Sequence, residues 1–238
     1  MLFDAGISRR ELYKRLAAVS IDPAEITAVV LSHEHSDHVS GLPSLLKHQQ
    51  SQRGAPLPLY CNARTQASLD WKEFAPTVEL VEPGACFPVA DLEIGTFTIP
   101  HDAADPMGFV IRAEGQLLGL LTDLGYVPDS VRFHLAGANF LLLESNHDLE
   151  MLKVGPYPWS VKQRVMGRNG HLSNDVAASY VAESLSAELH TLVLGHLSGN
   201  NNHPAIARLS MENALNGTKL SPRLEVAERE GPVLQFAF

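Results

Sequence analysis

Thiols are scarce: among 238 residues only Cys61 and Cys86 are cysteine, and neither lies near a histidine-rich segment. A disulfide between them stays open, but a cysteine-based metal site is set aside. Long apolar runs are also missing. No stretch approaches the ~20 residues of a membrane span, and the N-terminus lacks a basic flank followed by an apolar segment. A soluble, cytoplasmic protein with no membrane partner is expected. Basic residues are in deficit, 18 against 27 acids, for a net charge of −9. That argues against a surface that attracts nucleic acid everywhere, though a local basic patch is not excluded. Linkers, charge runs, low-complexity tracts and internal repeats are absent, so one domain over 1–238 is expected.

Histidine, in contrast, is concentrated. The segment "LSHEHSDHVSG" (31–41) places His33, His35, Asp37 and His38 within six positions. It follows "ITAVVL" (26–31), a short β-branched apolar run that reads as a buried strand, so the cluster sits at a strand end. Upstream, "SRRE" (8–11) is a capping box ahead of Leu12, Leu16 and Val19 at helical spacing. Downstream, "HVSGLPSLLKH" (38–48) reads as a helix, "PLPLYCN" (56–62) as a strand and "ARTQASLDW" (63–71) as a helix. From about 78 to 123, short apolar runs alternate with Gly and Pro turns, which predicts hairpins. A strand over 138–145, a capped helix over 173–188, a strand over 191–196 and a helix over 203–217 complete the reading. Strands and helices mix in both halves, which suggests two packed sheets with helices outside.

One loop cannot complete a metal site, because donors must converge from several directions. Further candidates stand in the same setting, each just after an apolar strand: His101 after "FTIP", Asp123 after "LLGLLT" and His196 after "TLVLG". The donors are all nitrogen and oxygen, which suits Zn²⁺, Mn²⁺ or Fe without choosing among them.

The run "HEHSDH" matches the HxHxDH signature of the metallo-β-lactamase superfamily, and "FDAG" (3–6) resembles the aspartate-glycine turn that precedes it. His101, Asp123 and His196 fall where the later motifs of that family fall. The segments "HDAADPMGFVI", "LTDLGYV", "ESNHDLEML", "YPWSVKQRV", "GHLSN" and "HLSGNNN" resemble the WalJ/YycJ-type branch of nucleases, with tRNase Z and the PhnP phosphodiesterase more distant. The resemblance implies an α/β four-layer αββα sandwich with metals at one edge of the sheets. The chain opens almost at "FDAG", so the family's N-terminal strand pair is expected to be truncated. It also implies two divalent ions, one on His33, His35 and His101 and the other on Asp37, His38 and His196, with Asp123 bridging. A shared anionic ligand offsets the repulsion of two close cations. Asp4 would orient a ligand histidine or serve only the tight turn, and His147 is split evenly between supporting a ligand and a structural role.

His171 lies just before a helix cap, where a phosphate could meet both imidazole and amide groups. By resemblance to tRNase Z it would donate a proton or bind phosphate, so catalytic roles fall to Asp37, Asp123 and His171. A loop histidine that only caps the helix is the plain alternative. The segment 153–171 carries Lys153, Lys162, Arg164 and Arg168 with Tyr157 and Trp159 and no acid, a reversal that suits a phosphodiester strand or, alternatively, the solvated face of a helix. Asn201, with Asn200 and Asn202, reads as a polar loop near the mouth or as a turn. The function expected is a nuclease acting on DNA or RNA, of the exonuclease kind. Its rivals are a small-molecule phosphodiesterase, a thioester or lactam hydrolase, and a non-catalytic nucleic-acid-binding regulator.

Overall fold

Short apolar strands alternate with capped helices, and the computed structural model, which describes residues 1–71 and 74–237, stacks them in four layers. The first part of the chain runs β1 (Leu2–Phe3), α1 (Arg9–Ala18), β2 (Val29–Val30), α2 (Ser36–Val39), α3 (Leu42–Arg53), β3 (Leu59–Cys61), α4 (Ala63–Ser68) and β4 (Val78–Leu80). These strands form a parallel sheet in the order β1-β2-β3-β4, with two-residue β1 at its edge. The second sheet takes β5 (Cys86–Val89), β6 (Leu92–Thr98), β7 (Met107–Ala113) and β8 (Gln116–Leu121) as an antiparallel meander. After α5 (Asp129–Leu135) it continues in parallel through β9 (Phe140–Glu144). Then α6 (Leu149–Val154), α7 (Trp159–Val165) and α8 (Asn174–Ser184) precede β10 (Thr191–Gly195), and α9 (Pro204–Leu215) leads to β11 (Arg223–Val226).

The period-two pattern of the strands explains the layering. On β7, Phe109 and Ile111 face the other sheet, packing with Val30 and Ile94, while Val110 faces the outer helices. Leu141 and Leu143 on β9 face the same way as Val110, against Ala177 and Val181 of α8 and Met211 of α9. On the other side, Leu12 of α1 and Leu42, Leu45 and Leu46 of α3 cover Val29, Leu31 and Leu59. Each fully buried leucine contributes on the order of 1.5–3 kcal/mol. Helix–sheet, sheet–sheet and sheet–helix interiors make the αββα sandwich read from the sequence.

Several boundaries differ. Ser8 does cap α1, accepting from Glu11 N at 3.2 Å, but Glu11 turns to Arg15 rather than back to the cap. The single helix expected over 38–48 is split into α2 and α3. The break is steric: Ala5 N donates to His38 O at 2.7 Å and Gly41 N to Ala5 O at 2.8 Å, so the 4–7 turn is pressed against it. A Cβ on Gly6 would lie 1.5 Å from Asp37 O, and one on Gly41 1.8 Å from Ile7 O. The strand expected over 26–31 is regular only at Val29–Val30 because β1 offers so short a partner. β4 belongs to no hairpin; it pairs in parallel with β3, Leu59 opposite Val78, and the hairpins begin at β5. Among the described residues no helix is long and apolar enough to cross a membrane.

Candidate metal centre

Six polar side chains come from loops at one edge of the sheets. Asp4 follows β1, His33 follows β2, His101 follows β6, Asp123 follows β8, Glu144 ends β9 and His196 follows β10. Three of them hold left-handed backbone without being glycine: Asp4 at φ 55°, Asp123 at φ 62° and His196 at φ 56°. That conformation costs about 1–2 kcal/mol for an L-residue, and such strain concentrates at sites the surrounding structure over-determines. Each turn redirects a side chain out of the pleat and toward a common centre.

His33, His38, His101 and His196 are each held through one ring nitrogen, leaving the other facing inward, whereas His35 Nδ1 lies 3.2 Å from His101 Nε2. His38 Nδ1 lies 2.8 Å from Asp4 Oδ2, and His33 Nδ1 lies 2.9 Å from Ser32 Oγ. Ser32 in turn donates its hydroxyl to Asp4 Oδ2 at 2.7 Å and its amide to Asp4 Oδ1 at 2.8 Å. His101 Nδ1 lies 3.2 Å from Gly170 O, and His196 Nδ1 lies 3.0 Å from Glu144 Oε2. Fixing one nitrogen on an oxygen sets the tautomer and points the other toward the centre of the cluster.

The donors converge in overlapping groups. Donor atoms of His33, His35 and His101 lie within 4.8 Å of one another, as do those of Asp37, His38 and His196, and those of His33, His38 and Asp123. Among the described residues three buried atoms in this group, His33 Nε2, His38 Nε2 and Asp123 Oδ2, lack a well-directed hydrogen bond, although the last two face each other at 3.2 Å. An unsatisfied buried polar atom costs about 1–3 kcal/mol, and several aimed at one region are what a bound cation would satisfy. The residues therefore fit divalent metal ions. Burial drives His33 down to about 3, with charged His38 adding to the effect. His38 itself reaches about 10: burial opposes its charge, but the carboxylates of Asp123, 3.2 Å from Nε2, and Asp4, 2.8 Å from Nδ1, outweigh it. Asp37 is held well below the carboxylate range, chiefly by its hydrogen bond to His196.

Glu144 was not singled out in the sequence, and it is the hub of the site. It is fully buried and accepts from Leu172 N at 2.7 Å, from Asp123 N, and from His196. His171 Nδ1 is 3.3 Å from it. Burial would neutralise Glu144, but the hydrogen bonds from His171 and His196 hold its pKa below the usual range. The same bond raises His171 against the effect of its own burial. The available signal was an acid closing an apolar strand, in the very setting that marked Asp123 and His196.

His171 joins the site. Its ring centroid is 5.1 Å from His101 and 5.5 Å from His196, and it lines a 330 Å³ cavity with His35, Asp37 and Arg164. Other expectations change. His147 is buried and makes no side-chain hydrogen bond to the cluster; its carbonyl accepts from Asn174 N at 2.9 Å at the start of α8. Support for the His196 loop comes from the preceding residue, Asn146, which donates to His196 O at 3.0 Å. Lys162 is buried and gives its ammonium to Lys153 O at 2.7 Å, tying α7 to α6 rather than facing a substrate. Asn201 is also buried, and among the described residues its Nδ2 reaches only Ser198 Oγ, at 3.4 Å, within its own loop. Arg164 does lie at the cavity, paired with Asp102, and the Arg168 guanidinium stacks 4.1 Å from the Tyr126 ring centre.

Comparison with known proteins agrees with this geometry. The profile of the beta-lactamase superfamily domain matches residues 1–196. The chain belongs to that superfamily. It is 34% identical over 218 residues to the exodeoxyribonuclease YycJ of Bacillus anthracis, covering 90% of this chain and 80% of that one. It is 33% identical over 220 residues to the exodeoxyribonuclease WalJ of Streptococcus pneumoniae, with the same coverages. The metallo-β-lactamase fold protein YhfI of Bacillus subtilis superposes with a TM-score of 0.67 at 19% identity, covering 95% of this chain and 84% of that one. The superfamily chain is thus a metallo-β-lactamase-fold, metal-dependent hydrolase whose donor set suits divalent ions.

Proposed function

We propose that this chain is a nuclease that hydrolyses phosphodiester bonds of DNA or RNA from a strand end, using two divalent ions, Zn²⁺, Mn²⁺ or Fe. The observation that carries the reading is His171: a glutamate-held imidazole standing between a convergent set of nitrogen and oxygen donors and an open cavity. Relatives named exodeoxyribonucleases, alike over most of the chain, support DNA as the polymer.

His33, His35 and His101 would hold one ion, Asp37, His38 and His196 the other, and Asp123 both. When bound, the ions supply Lewis acidity toward the phosphoryl oxygens and ease deprotonation of water. Asp4, Ser32, Gly170 O and Glu144 keep the ligand imidazoles from rotating. His171 offers Glu144 its Nδ1–H, which favours the charged ring and leaves the Nε2 proton for the departing oxygen. Arg164, exposed beside the cavity, exchanges Asp102 for a substrate phosphate, whereas the Arg168 guanidinium is stacked on Tyr126 and is not among the residues lining the cavity.

The test is a cleavage assay on single-stranded DNA, single-stranded RNA, a cyclic phosphodiester and a thioester, with Zn²⁺, Mn²⁺ and Fe²⁺ in turn. We expect metal-dependent shortening of a nucleic-acid strand, abolished by chelator. Turnover of the cyclic phosphodiester or thioester with none on either polymer would overturn the reading in favour of a small-molecule hydrolase.

A further inference from the structure

The catalytic cavity has a counterpart across the metal centre. The 330 Å³ cavity beside His171 shares Ser36 and Asp37 with a 460 Å³ cavity lined by Ile7, His38, His196 and Arg229. That second cavity shares Ile7 and Arg229 with an 810 Å³ groove along Glu11, Lys14 and Arg15 of α1. Together they form one trough that crosses the donor cluster and continues well past it.

Arg229 is the notable group on this far side. Among the described residues no carboxylate pairs with its guanidinium, although its main-chain oxygen accepts from Arg15 Nη2 at 2.8 Å. Arg15 and Lys14 differ, being held by Glu11 at 3.0 and 3.6 Å. Ile7, 40% exposed, presents an apolar face in the same wall. Glu228 and Glu230 are exposed alongside, so the wall has no broad positive field. A single unpaired guanidinium next to an apolar side chain suits one phosphate held bidentately and one unpaired base or sugar resting on Ile7.

We propose that Arg229 and Ile7 form a second nucleotide subsite, on the opposite side of the scissile bond from His171 and Arg164, so that the substrate is a single strand lying across the metal centre. A duplex would keep its base faces stacked and unavailable to Ile7. The inference rests on the nuclease reading.

The experiment compares wild type, Arg229→Gln and Arg229→Lys, each metal-loaded, on a single-stranded 12-mer and on bis(p-nitrophenyl) phosphate, which is too short to reach the subsite. For Arg229→Gln we expect KM on the 12-mer to rise at least tenfold more than KM on the small ester. The log–log salt dependence of 12-mer binding should flatten by about 0.7, one single-strand phosphate contact, with partial recovery in Arg229→Lys. Equal effects on both substrates with an unaltered salt slope would overturn the subsite. Failure of the wild type to cleave the 12-mer at all would instead strike the nuclease reading beneath it.

Discussion

Glu144 joins Asp123, His171 and His196 through one buried carboxylate, so its removal should be felt both at the proposed metal ligands and at His171. We expect Glu144→Gln to weaken metal affinity by about 10–100-fold, as loss of a ligand-orienting partner does, measured by titrating the metal-free protein calorimetrically. Unchanged affinity would remove it from the site. His171→Ala should keep the metals yet lose on the order of 10²–10⁴-fold on an ordinary phosphodiester. On a substrate with a nitrophenolate leaving group, which needs no proton, the loss should be small; equal large losses on both would rule out the acid role. His147 makes a different expectation. Burial lowers it from 6.5 to about 4, so below pH 6.5 the unfolded chain takes up a proton that the folded chain refuses. The folded state is favoured above 6.5 and loses that advantage as pH falls toward 4, by roughly 2–3 kcal/mol. Urea unfolding at pH 7 and pH 4.5 should therefore show a smaller decline in His147→Gln than in wild type, and identical declines would contradict it.

At the scale of elements, the turn at 4–7 and the histidine loop form one unit because two glycines let their backbones touch. Gly41→Ala would drive a Cβ to 1.8 Å from Ile7 O, a main-chain atom that cannot swing aside. We expect a cost of about 3 kcal/mol or more by chemical denaturation. Gly54 ends α3 at φ 67° with nothing within 4 Å, so Gly54→Ala should cost only about 1 kcal/mol. Equal costs would refute the close-approach explanation. The same unit shows what a sequence can and cannot disclose. The convergence of His33, His38 and His196 was legible because it follows from residue type and position at strand ends. The α2–α3 break was not, since Gly41 matters only once another segment rests on it. Lys162 and Arg164 sit two residues apart in one basic run, yet one is buried against Lys153 O and the other stands at the cavity. Charge patterning cannot separate them, because helix phase and packing decide which points outward. Glu144 was missed for a related reason, as a lone acid closing a strand reads equally well as a solvated cap.

Across the whole molecule, the two sheets bring their loops to one edge, and the site exists only when both halves are folded together. His33, His35, Asp37 and His38 come from the first sheet's loops, while His101, Asp123 and His196 come from the second. The central claim is that these residues hold two ions that act together in hydrolysis. The most direct test is to strip the protein with chelator, add Mn²⁺ or Zn²⁺ in known equivalents, and follow cleavage of an end-labelled single-stranded DNA alongside elemental analysis, for wild type and Asp123→Ala. We expect about two ions per chain in the wild type, activity that rises steeply with the second equivalent, and reduced occupancy of both positions in Asp123→Ala. Cleavage by the stripped protein, full activity at one ion per chain, or complete loading of Asp123→Ala would contradict it.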